Sequence, residues 1–194
     1  MTCIVGIKTD DNVYIGADTF GSNSFTGHSY IRPKIFKKDN FIYGVCGSYR
    51  VMQLLEFSYS TPLRTIGQSI EHYLYAKIPD SIRDCLKNGG VINSTNNIET
   101  IAQNSSFLFA YENRLFVFQH DFSILEPIAN YATTGSGCYH AEASLYSTEN
   151  VIKDTEERIK KAIICASNYV LSVNNKIDII SLNEKKIQIK KVRK

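Results

Sequence analysis

With 22 Lys and Arg against 19 Asp and Glu, this 194-residue chain carries a net charge of +3, too slight an excess to imply nucleic-acid binding. Hydrophobic residues at 43% and charged residues at 21% describe a folded chain, and the length suits one core, a single domain over 1–194. No apolar run approaches the roughly eighteen residues of a membrane span, and the start lacks a signal peptide's basic region and apolar core.

Five scattered cysteines (Cys3, Cys46, Cys85, Cys138, Cys165) argue against a disulfide framework and for a reducing, cytoplasmic setting. No two of them form CxxC and the four histidines lie far apart, so neither a metal site nor a cofactor is expected.

In chain order, 3–8 and 12–17 read as a hairpin rich in Val, Ile and Tyr. Residues 19–31 are Gly/Ser-rich without a sustained period and read as a loop. A second hairpin, 34–37 with 41–46, turns at Asp39-Asn40. Val51, Leu54, Leu55 and Tyr59 then follow helical spacing from a start near Ser48, and Pro62 ends that helix. Over 66–88 the pattern predicts two helical pieces broken at Pro79, the second opening on Asp80 and stopping at Gly89-Gly90. The polar, Asn-rich stretch 91–104 reads as a surface loop. A hairpin of 106–111 and 115–119 follows, then strand material at 122–127 and 131–134 and a helix over 138–146.

The clearest helix spans about 154–171, with Asp154 as cap and Ile159, Ala162, Ile163, Ala166 and Val170 as its apolar stripe. A closing hairpin, 176–182 with 185–192, ends the chain, its lysines suiting a solvated edge strand. Hairpins at both ends with helices between them predict α+β layers, not alternating βαβ units.

Thr2 is the residue with reactive potential. Removal of Met1 would give it a hydroxyl nucleophile and a free α-amine, a base of reference pKa about 7.7–8.0. A threonine paired with its own amine is one way to activate a weak alcohol. Four motifs fall in order: Thr2-Cys-Ile-Val-Gly-Ile, Gly16-Ala-Asp18, Arg32-Pro-Lys34-Ile followed by Gly44-Val-Cys-Gly47, and Gly135-Ser-Gly137 before a helix. This ordered set resembles the proteasome β-subunit and bacterial HslV peptidase family, N-terminal-nucleophile hydrolases with a threonine nucleophile. The chain is similar above all to the shorter HslV-like proteins of phages and prophages. Thr2 lies sixteen residues before Asp18 and thirty-two before Lys34, which matches the family's threonine–aspartate–lysine spacing.

The resemblance implies a four-layer αββα sandwich and a threonine-type endopeptidase working through an acyl-enzyme on Thr2. Lys34 would lower the amine's pKa and favour the alkoxide, Asp18 would orient Lys34, and Ser136 would hydrogen-bond near the amine. Gly47 would give its N–H to the oxyanion. The gap from Lys34 to Gly47 is a residue shorter than in many relatives, which leaves the Ser48 N–H as an alternative donor. Ser172 aligns with the family's second serine. The accompanying aspartate position falls near Asn168 or Tyr169, so that carboxylate is missing. The implied partners are a protein or peptide substrate, further copies of the chain in a ring, and an ATP-dependent unfoldase. No nucleic acid or membrane partner is implied.

A small-molecule amidase and a non-catalytic structural or regulatory homologue are the alternative readings. A serine-hydrolase elbow is disfavoured, because Thr134 stands where G-x-S-x-G needs glycine. Cys3, Cys46 and Cys138 each adjoin a motif and read as small buried hydrophobes.

Overall fold

Residues 2–22 and 26–183 are described in the computed structural model. The strands are β1 (Ile4–Lys8), β2 (Val13–Asp18), β3 (Phe20–Ser22), β4 (Gly27–Ser29), β5 (Ile35–Lys38), β6 (Phe41–Cys46), β7 (Ile92–Thr95), β8 (Ile98–Ile101), β9 (Ser106–Tyr111), β10 (Arg114–Phe118), β11 (Ile124–Leu125), β12 (Tyr131–Thr134) and β13 (Ile177–Ser181). They form an antiparallel sheet β12-β1-β2-β13, a second sheet β11-β10-β9-β6-β5, and two small hairpins, β3-β4 and β7-β8. The helices are α1 (Tyr49–Gln53), α2 (Ile70–His72), α3 (Ile78–Asn88), α4 (Cys138–Thr148) and α5 (Thr155–Tyr169). Wide π-helical turns at Leu54–Ser58 and Tyr73–Lys77 follow α1 and α2.

The layering follows from the two-residue period of the strands. In the second sheet Phe41, Tyr43, Val45, Phe107, Phe109, Tyr111, Phe116 and Phe118 face one way, into a cluster with Leu55, Leu74, Ile82 and Leu86 of the first three helices and their π turns. The intervening Ile42, Leu108, Ala110 and Leu115 face the other sheet, where they meet Ile4, Ile15, Ala17 and Ile180. Cys3, Val5 and Ile7 point away from that interface and pack on Leu145, Ile159, Ala162 and Ile163 of α4 and α5. Strands buried on both faces, with helices outside each, make a four-layer αββα sandwich. Each fully buried large apolar side chain contributes about 1.5–3 kcal/mol.

The 19–31 stretch is not a plain loop. Its β3-β4 hairpin is anchored from outside, with the Phe20 N–H donating to Asp18 Oδ2 at 3.0 Å and the Phe20 carbonyl accepting from Lys34 at 2.6 Å. Such long-range anchors leave no local period. The 91–104 stretch also holds a hairpin, turning at Asn96-Asn97, both with left-handed backbone (φ 51° and 63°) as its two-residue connection demands. Glu99 of β8 ties it to α3 through Arg83 and Lys87.

Pro79 does not break the helix. It sits in the first turn of α3 just after a π turn, where its missing N–H interrupts no α-helical bond. Asp154 caps α5 as expected, accepting from the Glu157 N–H at 2.7 Å. Of the closing hairpin, 177–181 forms β13 and the partner stretch lies outside the described residues.

One core residue carries a cost. The Tyr43 hydroxyl is buried and has no hydrogen-bond partner among the described residues. Tyr43→Phe removes that unsatisfied group without emptying the ring's site. The variant is expected to be about 1 kcal/mol more stable, read as a higher urea midpoint at unchanged slope; a lower midpoint would show that the hydroxyl is satisfied.

Candidate active site

Thr2 enters the edge of β1 and is almost wholly buried. Its peptide groups are held by the 135–137 turn. The Thr2 N–H donates to Ser136 Oγ at 3.1 Å, and the Thr2 carbonyl accepts from the Gly137 N–H and from Ser136 Oγ, both at 3.2 Å. Gly135 has φ +94°, and a side chain there would collide with the Thr2 carbonyl oxygen. Only glycine allows this wrap. Ser136 Oγ also lies 3.2 Å from Ser172 Oγ. If Ser172 donates there, Ser136 accepts twice and donates once, so the network is satisfied. Ser172 is therefore beside the Thr2 nitrogen's partner, three residues past the end of α5.

Asp18 closes β2 directly opposite. Its Oδ1 accepts from the Cys3 N–H and from Lys34 Nζ, each at 2.8 Å, while Oδ2 takes the Phe20 N–H. Asp18 is 1% and Lys34 3% exposed, so this is a buried ion pair docked onto the residue after Thr2. Burial pulls the Lys34 pKa below the ordinary lysine value, and the neighbouring Asp18 carboxylate opposes that drop. Burial, followed by the Asp18 charge, drives the Cys3 thiol upward and keeps it protonated, so Cys3 is no rival nucleophile. Burial also raises Cys138. Cys46 Sγ is engaged with Ser106 and Thr134.

Gly47, just past β6, has φ +98°, and a Cβ there would lie 2.7 Å from Ser105 Cα. Of the two candidate oxyanion donors, the Ser48 N–H is occupied by Ser105 Oγ at 2.9 Å, which leaves Gly47. Thr2, Lys34, Gly47 and Ser136 all line one cleft of about 800 Å³. Asn168 and Tyr169 lie exposed at the end of α5, with Tyr169 stacked on His140 at 5.3 Å, and the described contacts give neither a link to Thr2. Sequence reasoning missed Ser105, wholly buried and bonded to the Ala102 carbonyl at 2.6 Å as well as to Ser48. A serine before a strand carries no local signal of such a role. Among the described residues there is no group of three or more metal-ligating side chains, and no helix is long and apolar enough to cross a membrane.

No protein-family model and no curated protein matches the sequence. Solved structures do match in shape. The BPH of Thiobacillus denitrificans aligns over 92% of this chain and 96% of its own at TM-score 0.77 and 16% identity. The same protein in complex with epoxomicin aligns at TM-score 0.76 and 14% identity over 92% and 97% of the two chains. HslV from Trypanosoma brucei aligns at TM-score 0.65 and 16% identity, covering 92% of this chain and 98% of that one. At such identities the likeness is one of architecture, and it agrees with the layers and strand pairing described above. The chain has the fold of the proteasome β-subunit and HslV-like proteins.

Proposed function

We propose that this chain is a threonine peptidase of the HslV-like family, with Thr2 as nucleophile once Met1 is removed. The observation that carries the reading is Asp18 Oδ1, which binds the Cys3 N–H and Lys34 Nζ together and so fixes a buried ammonium beside Thr2. Thr2 Oγ1 attacks the substrate carbonyl carbon, and its proton passes to the α-amine, directly or through a water. Lys34 disfavours protonation of that amine by like-charge repulsion and stabilises negative charge developing on Oγ1. The Gly47 N–H takes the carbonyl oxygen as it becomes an oxyanion, a contact typically worth about 2.7–4 kcal/mol.

The amine then returns the proton to the leaving nitrogen as the C–N bond breaks, which leaves an ester on Oγ1. Water, deprotonated by the same amine, attacks the ester and releases the acid. Ser136, backed by Ser172, orients the amine, because its Oγ already holds the Thr2 nitrogen. Without the family's second aspartate this serine pair is the support that remains.

Assembly into a ring belongs to the same proposal and is supported by the shape likeness to HslV, while an ATP-driven unfoldase to feed it is expected from the family resemblance alone. The test is intact mass. Purified protein should lack Met1, and epoxomicin should add its mass to the peptide beginning at Thr2. Retained Met1, or an adduct elsewhere, would overturn the reading.

A further inference from the structure

The two supports of Thr2 come from separate parts of the chain. Asp18 and Lys34 stand at the end of β2 and just before β5, while Ser136 and Ser172 belong to the turn before α4 and the segment after α5. One side chain joins these regions. Asn174 lies two residues past Ser172, and its amide sits at the base of the β3-β4 hairpin. The Thr19 N–H at 3.2 Å and the Lys176 N–H at 3.3 Å converge on a single atom of that amide, which is therefore the oxygen, Oδ1. Nδ2 then donates to Thr19 Oγ1 at 3.2 Å and to Ser29 Oγ at 3.3 Å. The Thr19 N–H is shared with the Lys176 carbonyl at 3.0 Å, so the end of β2 is tied to this segment twice.

Thr19 is the residue between the two groups that hold Lys34, the Asp18 carboxylate and the Phe20 carbonyl. Ser29 stands opposite Phe20 in the hairpin. On the other side of Asn174, only Val173 separates it from Ser172. Val173 is buried in the apolar cluster with Cys3 and Ala166, and its N–H donates to the Val170 carbonyl at 3.0 Å. A link so short and closely packed passes a shift of Asn174 on to Ser172 instead of absorbing it. The carboxylate that the family resemblance would place near Asn168 or Tyr169 is missing, so the serine pair takes its anchor from elsewhere. Building on the peptidase reading, we propose that Asn174 is a positioning residue: its amide fixes Ser172, and through it Ser136 and the Thr2 nitrogen, against the strand end that holds Lys34, in place of the missing aspartate.

The test compares Asn174→Ala, Asn174→Asp and Ser29→Ala. Asn174→Asp keeps an acceptor for both backbone N–H groups, and Ser29→Ala removes the outer bond alone. Asn174→Ala should lower kcat on a peptide substrate by about ten- to a hundredfold, the scale of a displaced reacting group, with KM within about twofold. Asn174→Asp should recover most of that loss, and Ser29→Ala should stay near wild type. Added to Ser172→Ala, Asn174→Ala should lower kcat by no more than about twofold further, because the tie then has nothing to position. Hydrogen exchange reads the same tie without catalysis. In Asn174→Ala the Gly137 N–H, which donates to the Thr2 carbonyl, should exchange about tenfold faster, while the Phe109 N–H in the middle of the second sheet keeps its rate. An unchanged Gly137 rate, equal acceleration at Phe109, or full additivity with Ser172→Ala overturns the inference. Faster exchange at Gly137 alone, with no hydrolysis of any peptide by the wild-type chain, would support the tie and defeat the peptidase reading alone.

Discussion

Thr2→Ala is expected to lower kcat/KM on a peptide substrate by about 10⁴-fold or more, the scale on which nucleophile removal acts in hydrolases that work through an acyl-enzyme. The substitution is well suited to the question. Thr2 is held through its backbone, by Ser136 and Gly137, and those bonds survive the loss of the hydroxyl. Unfolding midpoints should therefore stay close to wild type while activity disappears. Thr2→Ser keeps both a hydroxyl and an amine and should retain most of the rate. Hydrolysis undiminished in the alanine variant would mean that another group does the chemistry.

Asp18→Ala should be the most damaging single change to the fold near the site. It leaves the Lys34 ammonium buried without its counter-charge and strips the Cys3 and Phe20 N–H groups of their acceptor. Breaking one side of a buried pair costs about 3–5 kcal/mol, read here in urea or thermal unfolding. Lys34→Met combined with Asp18→Asn should restore part of that loss, since neither charge remains to be buried, yet activity should stay absent because the ammonium is gone. Recovery of activity in the double variant would remove Lys34 from the mechanism.

The same lysine predicts the alkaline side of the pH profile. Its pKa is lowered by burial, so as pH rises the charged form required by the mechanism is lost before the ordinary lysine value of 10.5 is reached. The rate should accordingly fall at a lower pH than an exposed lysine would give. For stability the direction is opposite. A depressed pKa means the folded state favours neutral Lys34, so its contribution is present above the unfolded value and is lost as pH falls through the folded one.

What could be read from residues alone depended on how local the signal was. The Asp154 cap and the stripe through Ile159, Ala162, Ile163 and Ala166 lie within one helix, and both appear in the fold. Strands such as Phe107–Leu108–Phe109 show their two faces in their own alternation. Thr2, Asp18 and Lys34 were identifiable only as a spaced set, and the 2.8 Å contacts of Asp18 with Lys34 and with the Cys3 N–H next to Thr2 depend on β1, β2 and the start of β5 being neighbours in space. The hairpins at 20–29 and 92–101 were hidden because their anchors, Lys34 for one and Arg83 with Lys87 for the other, lie outside the segments they hold. Ser105 was invisible for a related reason, since it matters through a bond to a distant backbone.

The Ser105 hydroxyl has a mechanical consequence. It donates to Ala102 at 2.6 Å and accepts from Ser48 at 2.9 Å, which fastens the turn carrying Gln103 and Asn104 to the corner that presents the Gly47 N–H. The two walls of the cleft are thus a single rigid jaw hinged on one oxygen. A ligand that shifts the far rim must also turn the peptide plane at Gly47, so how a substrate is gripped and how its carbonyl is polarised are coupled through one buried serine.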